Sequence, residues 1–532
     1  MKELFKVVTK RVFVYSFIIN LLYSLADYGE SFVLGYFGTS PLTIDKVIKL
    51  TIAIVILDIL TLIFEKIGSY VDNIMEVKTH TEIEKYYFSK MQNMTMKKLS
   101  TIHTGYLNKM IGKVIRYFID TIYFFEIGVI PALIGGTAIF IMLCKQSVVT
   151  GIICLIISIV AVTLKYKMLK NTQKYEKDEN DAESRYNGTL IDFIQNIITV
   201  KKLNIGRYCE NKIDKSSNEY LDKSKKNLKK RVRANGVYTS LMNLLYLVVL
   251  ISVIITIKQG KDGLPFLLFY MSALGKIYYS LNHVVRVIDF SQRFRTAKKQ
   301  IDSYFSDVSD TKLIKDYKNI KLRNVIFSYT QDSEKIKIPE FILNKGDKIS
   351  ITGESGQGKT TVMNILSGLY PIEKGEILIN NKKLKNEMLD LVFVSQEVDL
   401  FNLSIRDNLV LGNNISDEKI VELLKEAGME SWYKNFPNGL DTVVGERGMK
   451  LSAGQKQRLN LIRGILIDKE LYFFDEPTSN LDIASEEKVI NMIDKYLKDK
   501  TYVIVTHRPK LKELCNKHYV FEEHMMKELI NV

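Results

Sequence analysis

Asp347–Leu366 reads DKISITGESGQGKTTVMNIL. An apolar run, Ile349–Thr352, leads directly into Gly353; Gly356, Gly358, Lys359, Thr360 and Thr361 follow, and then an amphipathic helical stretch. Strand, glycine loop and helix in that order are the setting a phosphate-binding loop requires. The glycines, with Glu354, Ser355 and Gln357 between them, let backbone N–H groups close around phosphate oxygens. The helix start adds a favourable dipole, and Lys359 reaches toward the β and γ phosphates of a nucleotide. Thr360 is placed to offer its hydroxyl to Mg²⁺.

Two other stretches of the same half gain meaning from this loop. ELYFFDEP, Glu470–Pro477, is an apolar strand ending in Asp475 and Glu476. Alone, the pair reads as two solvated acids at a strand end. Beside a glycine loop, the first can hold a Mg²⁺ hydration shell and the second can polarise a water for attack on a γ-phosphate. TYVIVTHRP, Thr501–Pro509, is another apolar strand, and its His507 can sense that phosphate through a hydrogen bond. LSAGQKQR, Leu451–Arg458, then sets a second run of small residues before a basic helix. That is a second anion-compatible loop in one chain.

The other half is of a different kind. At 532 residues the chain exceeds one ordinary domain, and 46% hydrophobic content hides an uneven distribution. Apolar runs lie at Val12–Leu34, Val47–Ile67, Ile119–Leu143, Val148–Leu164, Val237–Ile257 and Leu264–Val287. Each approaches the roughly 20 residues that cross a bilayer, so six spans are expected. Connections such as CKQS and KQGKDG are short, whereas Lys66–Arg116 and Lys165–Arg233 are long and basic. The positive-inside rule puts the long loops and both chain ends in the cytosol.

That topology absorbs most of the +15 formal charge. No single basic and aromatic patch argues for nucleic acid. YSLADY loosely resembles a signal-peptidase site, but five further spans follow it. The four cysteines form no CxxC pair and imply no disulfide framework. Within the long loops, His80–Leu99 and Lys174–Leu203 lack proline and carry apolar residues at helical spacing, so they are expected to extend the helices below the membrane. Asp27, Glu30, Asp58 and Glu65 are costly inside spans and should face a cavity or a partner, the alternative being a side chain that snorkels to the interface, above all for Glu30 and Glu65 near the span ends. Pro131 and the pair Gly135–Gly136 are candidate kinks.

Taken together, the chain resembles an ATP-binding-cassette exporter half-transporter. The likeness is motif-level over Ile320–Asn516 and topological over the first 300 residues. It implies a membrane α-helical bundle of six spans with long cytoplasmic extensions, residues 1–305, joined to an α/β P-loop ATPase domain, residues 306–532. The motif correspondence implies roles as follows. Gly353–Thr361 binds ATP; Gln396, in FVSQEVDLF, joins Thr360 and Asp475 around Mg²⁺; Glu476 and His507 are catalytic. Tyr329 stacks on adenine, and Asp482 lies in the loop after the acidic strand. VVGERG, Val443–Gly448, is the segment that exporters place against the membrane domain. The signature is Leu451–Gln455, with Ala453 where the family most often has glycine.

The resemblance also explains the second loop. If cassettes pair head to tail, Ser452, Gly454 and Gln455 complete the site of a partner half-transporter, in a homodimer or a heterodimer. ATP then joins two cassettes, and a swing from mostly open to mostly closed needs about 5.5 kcal/mol of differential affinity. The long cytoplasmic helices are expected to pass that closure to the spans. Cargo is expected to be a peptide or another amphipathic or apolar molecule, moved across a bacterial cell membrane in contact with its lipid. Lipid flipping, drug efflux, and an ATP-gated channel or regulatory role are the alternatives. Only about a dozen residues precede the first span, which argues against an N-terminal peptidase domain.

Overall fold

A computed structural model describes residues 3–37, 43–94, 104–259, 264–305, 312–329, 334–384, 387–445, 448 and 451–529. The chain divides into two compact units near residue 307.

The first unit is helical. Its long helices are α1 (Lys10–Phe37), α2 (Ile44–Gln92), α3 (Thr104–Phe124), α4 (Ile130–Gln146), α5 (Val148–Lys170), α6 (Gln173–Gln195), α7 (Gly206–Lys258) and α8 (Leu264–Tyr304). Among the described residues, five helical segments are long and apolar enough to cross a membrane: α1, α2, α5, α7, and α3 continued into α4. The sixth expected span forms the first part of α8, where Lys276 and Arg286 interrupt the apolar run. The expected extensions below the membrane are present. α2 runs for 49 residues and α7 for 53, and at 1.5 Å per residue each is far longer than a bilayer core. Of the His80–Leu99 extension, residues 95–99 lie outside the described residues.

Intramembrane acids mostly find partners. Lys276 Nζ lies 3.0 Å from Asp27 and 2.5 Å from Glu30, tying α1 to α8. Glu65 lines a cavity of about 830 Å³ together with Asp27, Asp72, Glu76 and Asp120. Asp58 departs from the expectation: it sits exposed on α2 with no partner among the described residues. Glu126, not singled out from sequence, is buried and accepts hydrogen bonds from Ser16 and Asn20. It stands in a five-residue π-helical segment, Phe125–Val129, just before Pro131. Proline has no N–H to continue the α-helical ladder, and a π-turn absorbs that break. Gly135 has a packing role, since a Cβ there would lie 2.1 Å from the Tyr28 ring. All four cysteines are free.

The second unit is α/β. Its strands are β1 (Lys312–Ile314), β2 (Asn319–Phe327), β3 (Ile336–Asn344), β4 (Lys348–Gly353), β5 (Lys374–Ile379), β6 (Lys382–Lys383), β7 (Glu387–Leu389), β8 (Val392–Val394), β9 (Leu471–Asp475), β10 (Thr501–Val505), β11 (Lys517–Glu522) and β12 (Met525–Glu528). Ten of them form one sheet in the order β6-β5-β2-β3-β12-β11-β4-β10-β9-β8, and β1 pairs with β7. The neighbours β8, β9, β10, β4 and β11 are parallel, with Val505 opposite both Ile351 and Asp475. Every residue of β9 and β10 is buried, as helices on both faces of a parallel sheet require. The main helices are α9 (Lys359–Leu366), α10 (Asp417–Glu426), α11 (Ala453–Ile467) and α12 (Ile483–Tyr496).

Candidate nucleotide site

Parallel strands bring their carboxyl ends to one edge of the sheet, and there β4, β9 and β10 end side by side. Open α/β sheets bind ligands at that edge. From β4 the chain passes through the glycine loop into α9. Gly353, Gly356 and Gly358 have φ of 137°, 83° and 111°, in the region that side chains disfavour. Two of them are also crowded: a Cβ on Gly353 would lie 2.7 Å from the Phe521 carbonyl oxygen, and one on Gly358 would lie 2.7 Å from Ile336. Gln357 is held by the His524 N–H, which donates to its Oε1 at 2.7 Å.

Lys359 is the buried cation of the site, 7% exposed. Its ammonium folds back over the loop, donating to the carbonyls of Gly353 at 2.6 Å and Glu354 at 2.9 Å. It also lies 3.3 Å from His507 Nε2. Burial lowers its pKa, while the carboxylates of Glu476 and Asp475 pull the other way. Next to it, Thr360 Oγ1 donates to Asp475 Oδ2 at 2.7 Å. Burial raises the Asp475 carboxyl above the usual carboxylate range, and the Thr360 hydrogen bond opposes this. These two hard oxygen groups suit Mg²⁺, which favours carboxylate, hydroxyl and water ligands.

Glu476 follows β9 with φ of 47°, an uncommon conformation for a residue with a side chain. Its N–H donates to the Val505 carbonyl at 3.0 Å, which fixes this turn against the end of β10. Gln396 Nε2 donates to Glu476 Oε2 at 3.1 Å, and His507 Nε2 lies 3.9 Å from Oε1. Gln396 thus rests on Glu476, not on the Thr360–Asp475 pair. Tyr329 is half exposed; its hydroxyl and that of Thr361 lie 2.7 Å apart, and its ring meets Tyr370 edge-on at 5.5 Å.

The second loop stands apart in construction. Ser452 caps α11 with a reciprocal box: its Oγ accepts from the Gln455 N–H at 3.2 Å, and Gln455 Oε1 accepts from the Ser452 N–H at 2.9 Å. The amides of Ala453 and Gly454 remain at the positive end of the helix. A Cβ on Gly454 would lie 2.9 Å from the Asn480 carbonyl oxygen, whereas Ala453 is exposed. Asp482 caps α12 by accepting from the Ser485 N–H at 2.8 Å, which holds its carboxyl below the usual range. In VVGERG, residues 446 and 447 lie outside the described residues.

Sequence reasoning missed Gln457. It is buried on α11, donates to Ser479 Oγ at 2.9 Å and accepts from the Asn480 N–H at 3.1 Å. It therefore ties the signature helix to the loop after Glu476. Arg458 is a second omission, donating to the carbonyls of Ala427 and Gly428 at the end of α10. The only signal available was a run of polar residues in KQRLN, where helical spacing alone does not say which side is covered.

Comparison with known proteins agrees with both units. The family described as ABC transporter transmembrane region matches residues 12–274, and ABC transporter matches residues 336–479. The chain is 26% identical over 503 residues to the lactococcin-G-processing and transport ATP-binding protein LagD of Lactococcus lactis, covering 89% of this chain and 69% of that protein. It is 30% identical over 359 residues to the mitochondrial iron-sulfur clusters transporter atm1 of Aspergillus fumigatus, covering 63% of this chain and about half, 48%, of that one. A bacterial Atm1-family ABC exporter with ATP bound shares the fold at a TM-score of 0.85 and 21% identity, covering 98% of this chain and 94% of that chain. A multi-pass helical unit and a P-loop ATPase unit in one polypeptide, each matched by its own family, make this chain an ABC exporter half-transporter, which pairs with another half and hydrolyses ATP to drive transport.

Proposed function

We propose that the chain exports a peptide or another amphipathic molecule across the cytoplasmic membrane of a bacterium, with residues 1–305 forming the pathway and residues 306–532 the engine. The observation that supports this most is the gathering of Lys359, Thr360, Asp475, Glu476, Gln396 and His507 at one sheet edge, in a chain that also carries the membrane helices. In this reading Lys359 leaves the loop carbonyls and turns its charge to the β and γ phosphates. Thr360 and Asp475 would hold Mg²⁺, which when bound neutralises phosphate charge. Glu476 accepts a proton from the water that attacks the γ-phosphorus as the bond to ADP breaks. Gln396 and His507 orient Glu476 and report the γ-phosphate. Ser452, Gly454 and Gln455 serve the nucleotide of the paired half-transporter, and Asp482 fixes the loop between them.

The test is ATP-driven uptake of candidate peptides and amphiphiles into inside-out vesicles, beside phosphate release and the mass of the purified complex. Stimulated hydrolysis with uptake supports the reading. Uptake unaffected by ATP, with steady ionic conductance instead, would replace it with a channel. A mass of two identical chains with full ATPase activity makes the functional unit a homodimer.

A further inference from the structure

A cavity of about 520 Å³ opens between α5, α7 and α8 of the membrane unit; Lys165, Arg231, Tyr238, His283, Arg286 and Asp289 are in its wall. Its charge is unbalanced. Arg231 donates to Asp289, which accounts for one pair. Arg286 lies over the Phe124 ring at 5.1 Å, and no carboxylate pairs with it among the described residues. Lys165 is 2% exposed, yet it has no ion pair or hydrogen bond among the described residues. Asp289, already engaged, is the acid that attracts it from beyond ion-pair distance. An ammonium held out of water without a counter-ion is unfavourable, so the cavity favours an incoming negative charge.

Two further polar residues stand in the same wall. Tyr238 and His283 are 2% and 5% exposed, and the Tyr238 hydroxyl and both His283 ring nitrogens have no hydrogen-bond partner among the described residues. These three atoms are covered and do not open onto the cavity, so its charge rests on Lys165 and Arg286. His283 is also fixed in place, stacked on Phe124 at 5.3 Å and met edge-on by Tyr279 at 4.3 Å. Lysine and arginine only donate. The complementary group is one with several acceptor oxygens and a negative charge.

The neighbouring space is apolar. A second cavity, about 300 Å³, is lined by Met242, Tyr246, Leu274, Tyr278 and Leu281 among others. Met242 follows Tyr238 by four residues on α7, and Tyr278 precedes Asn282 by four on α8, so this cavity lies one helical turn along the same two helices. We propose that the cationic cavity binds the carboxylate or phosphate group of an amphipathic anion whose apolar part lies along the second cavity. The proposal rests on the exporter reading and names the chemical class that its pathway accepts.

The test uses the full-length protein in phosphatidylcholine nanodiscs, with empty nanodiscs as background, and dodecyl phosphate and dodecylammonium as probes. Dodecyl phosphate is expected to bind about tenfold or more tightly than dodecylammonium, the scale of one lost charged hydrogen bond. Lys165→Met and Arg286→Gln should each weaken it about tenfold, and Lys165→Arg should restore most of that loss. Equal binding of the two amphiphiles to the unmodified protein overturns the proposal, even where a variant fails to fold. So does retention of wild-type affinity in the folded Lys165→Met, Arg286→Gln double variant. Adding a minor fraction of phosphatidylglycerol to the discs separates two sources of the same chemistry. Competition identifies a membrane lipid headgroup, its absence a soluble amphiphile, and both support the site. Binding of dodecyl phosphate without any ATP-driven uptake of peptides or amphiphiles would sink the proposed cargo and leave this site standing; hydrolysis and uptake without phosphate selectivity would do the reverse.

Discussion

The loops at 353–361 and at 451–455 each precede a helix and each present backbone N–H groups, but they hold their shape by different means. In the first, three glycines take left-handed conformations, two of them pressed against Phe521 and Ile336, and Lys359 closes the loop on itself. Acids and a histidine from two adjacent strands surround it. In the second, Ser452 is extended, with φ of −68° and ψ of 158°, and a capping box holds the turn, each of its two side chains accepting from the other residue's backbone N–H. Arg458 donates to the Gly454 carbonyl at 3.3 Å, but among the described residues no carboxylate or histidine bonds to this loop in the way that Asp475 and His507 meet the first. One loop is closed in by side chains from neighbouring strands; the other is a capped helix end.

The strongest way to break this contrast is to remove the group that acts only on the first loop's contents. Glu476→Gln should lower steady-state phosphate release by about 10²–10⁴-fold, the usual scale of a general base, with nucleotide still bound in a fluorescence titration. Turnover near the wild-type rate would remove Glu476 from its assigned role. Lys359→Ala should instead reduce nucleotide affinity about tenfold to a hundredfold, because a charged hydrogen bond contributes about 1.5–3 kcal/mol. Gly454→Ala should separate the loops most clearly. Its new methyl meets the Asn480 carbonyl at 2.9 Å, so α11 must shift at its first turn. Overpacking of this kind costs about 1–3 kcal/mol, and hydrolysis should fall about tenfold while nucleotide affinity is kept. A loss of affinity equal to that of Lys359→Ala would mean that both loops serve one nucleotide within one chain.

The unequal legibility of the two loops has the same origin. Gly353–Thr361 could be read from sequence because a strained turn admits few residues and fixes their spacing. The buried strands β9 and β10 were equally legible as uninterrupted apolar runs. Gln457 was not, since its role depends on which turn of a later loop packs over α11. The contact of the Gln396 amide with Glu476 is decided by loop geometry and not by residue type. In the membrane unit, periodicity located the helices, but the partners of Asp27 and Glu30 lie some 250 residues away on α8, and Glu126 went unnoticed inside an apolar run. Long-range pairing of that sort leaves no local trace.

Ala453 gives the smallest and sharpest test. Its neighbour Gly454 cannot carry a side chain without moving Asn480, whereas Ala453 is exposed at the first helical position. Ala453→Gly should therefore change the maximal ATPase rate by no more than about fivefold, since an exposed alanine-to-glycine change costs at most about 1 kcal/mol even in a helix interior. The same measurement gives the apparent KM for ATP, which reports how closely the partner's nucleotide approaches this turn. If removing the methyl lowered KM about tenfold, the methyl would have to lie against phosphate in the paired state, at a cost of about 1.4 kcal/mol. The second loop would then be a weakened half-site, and the chain would be better suited to pair with an unlike half than with itself.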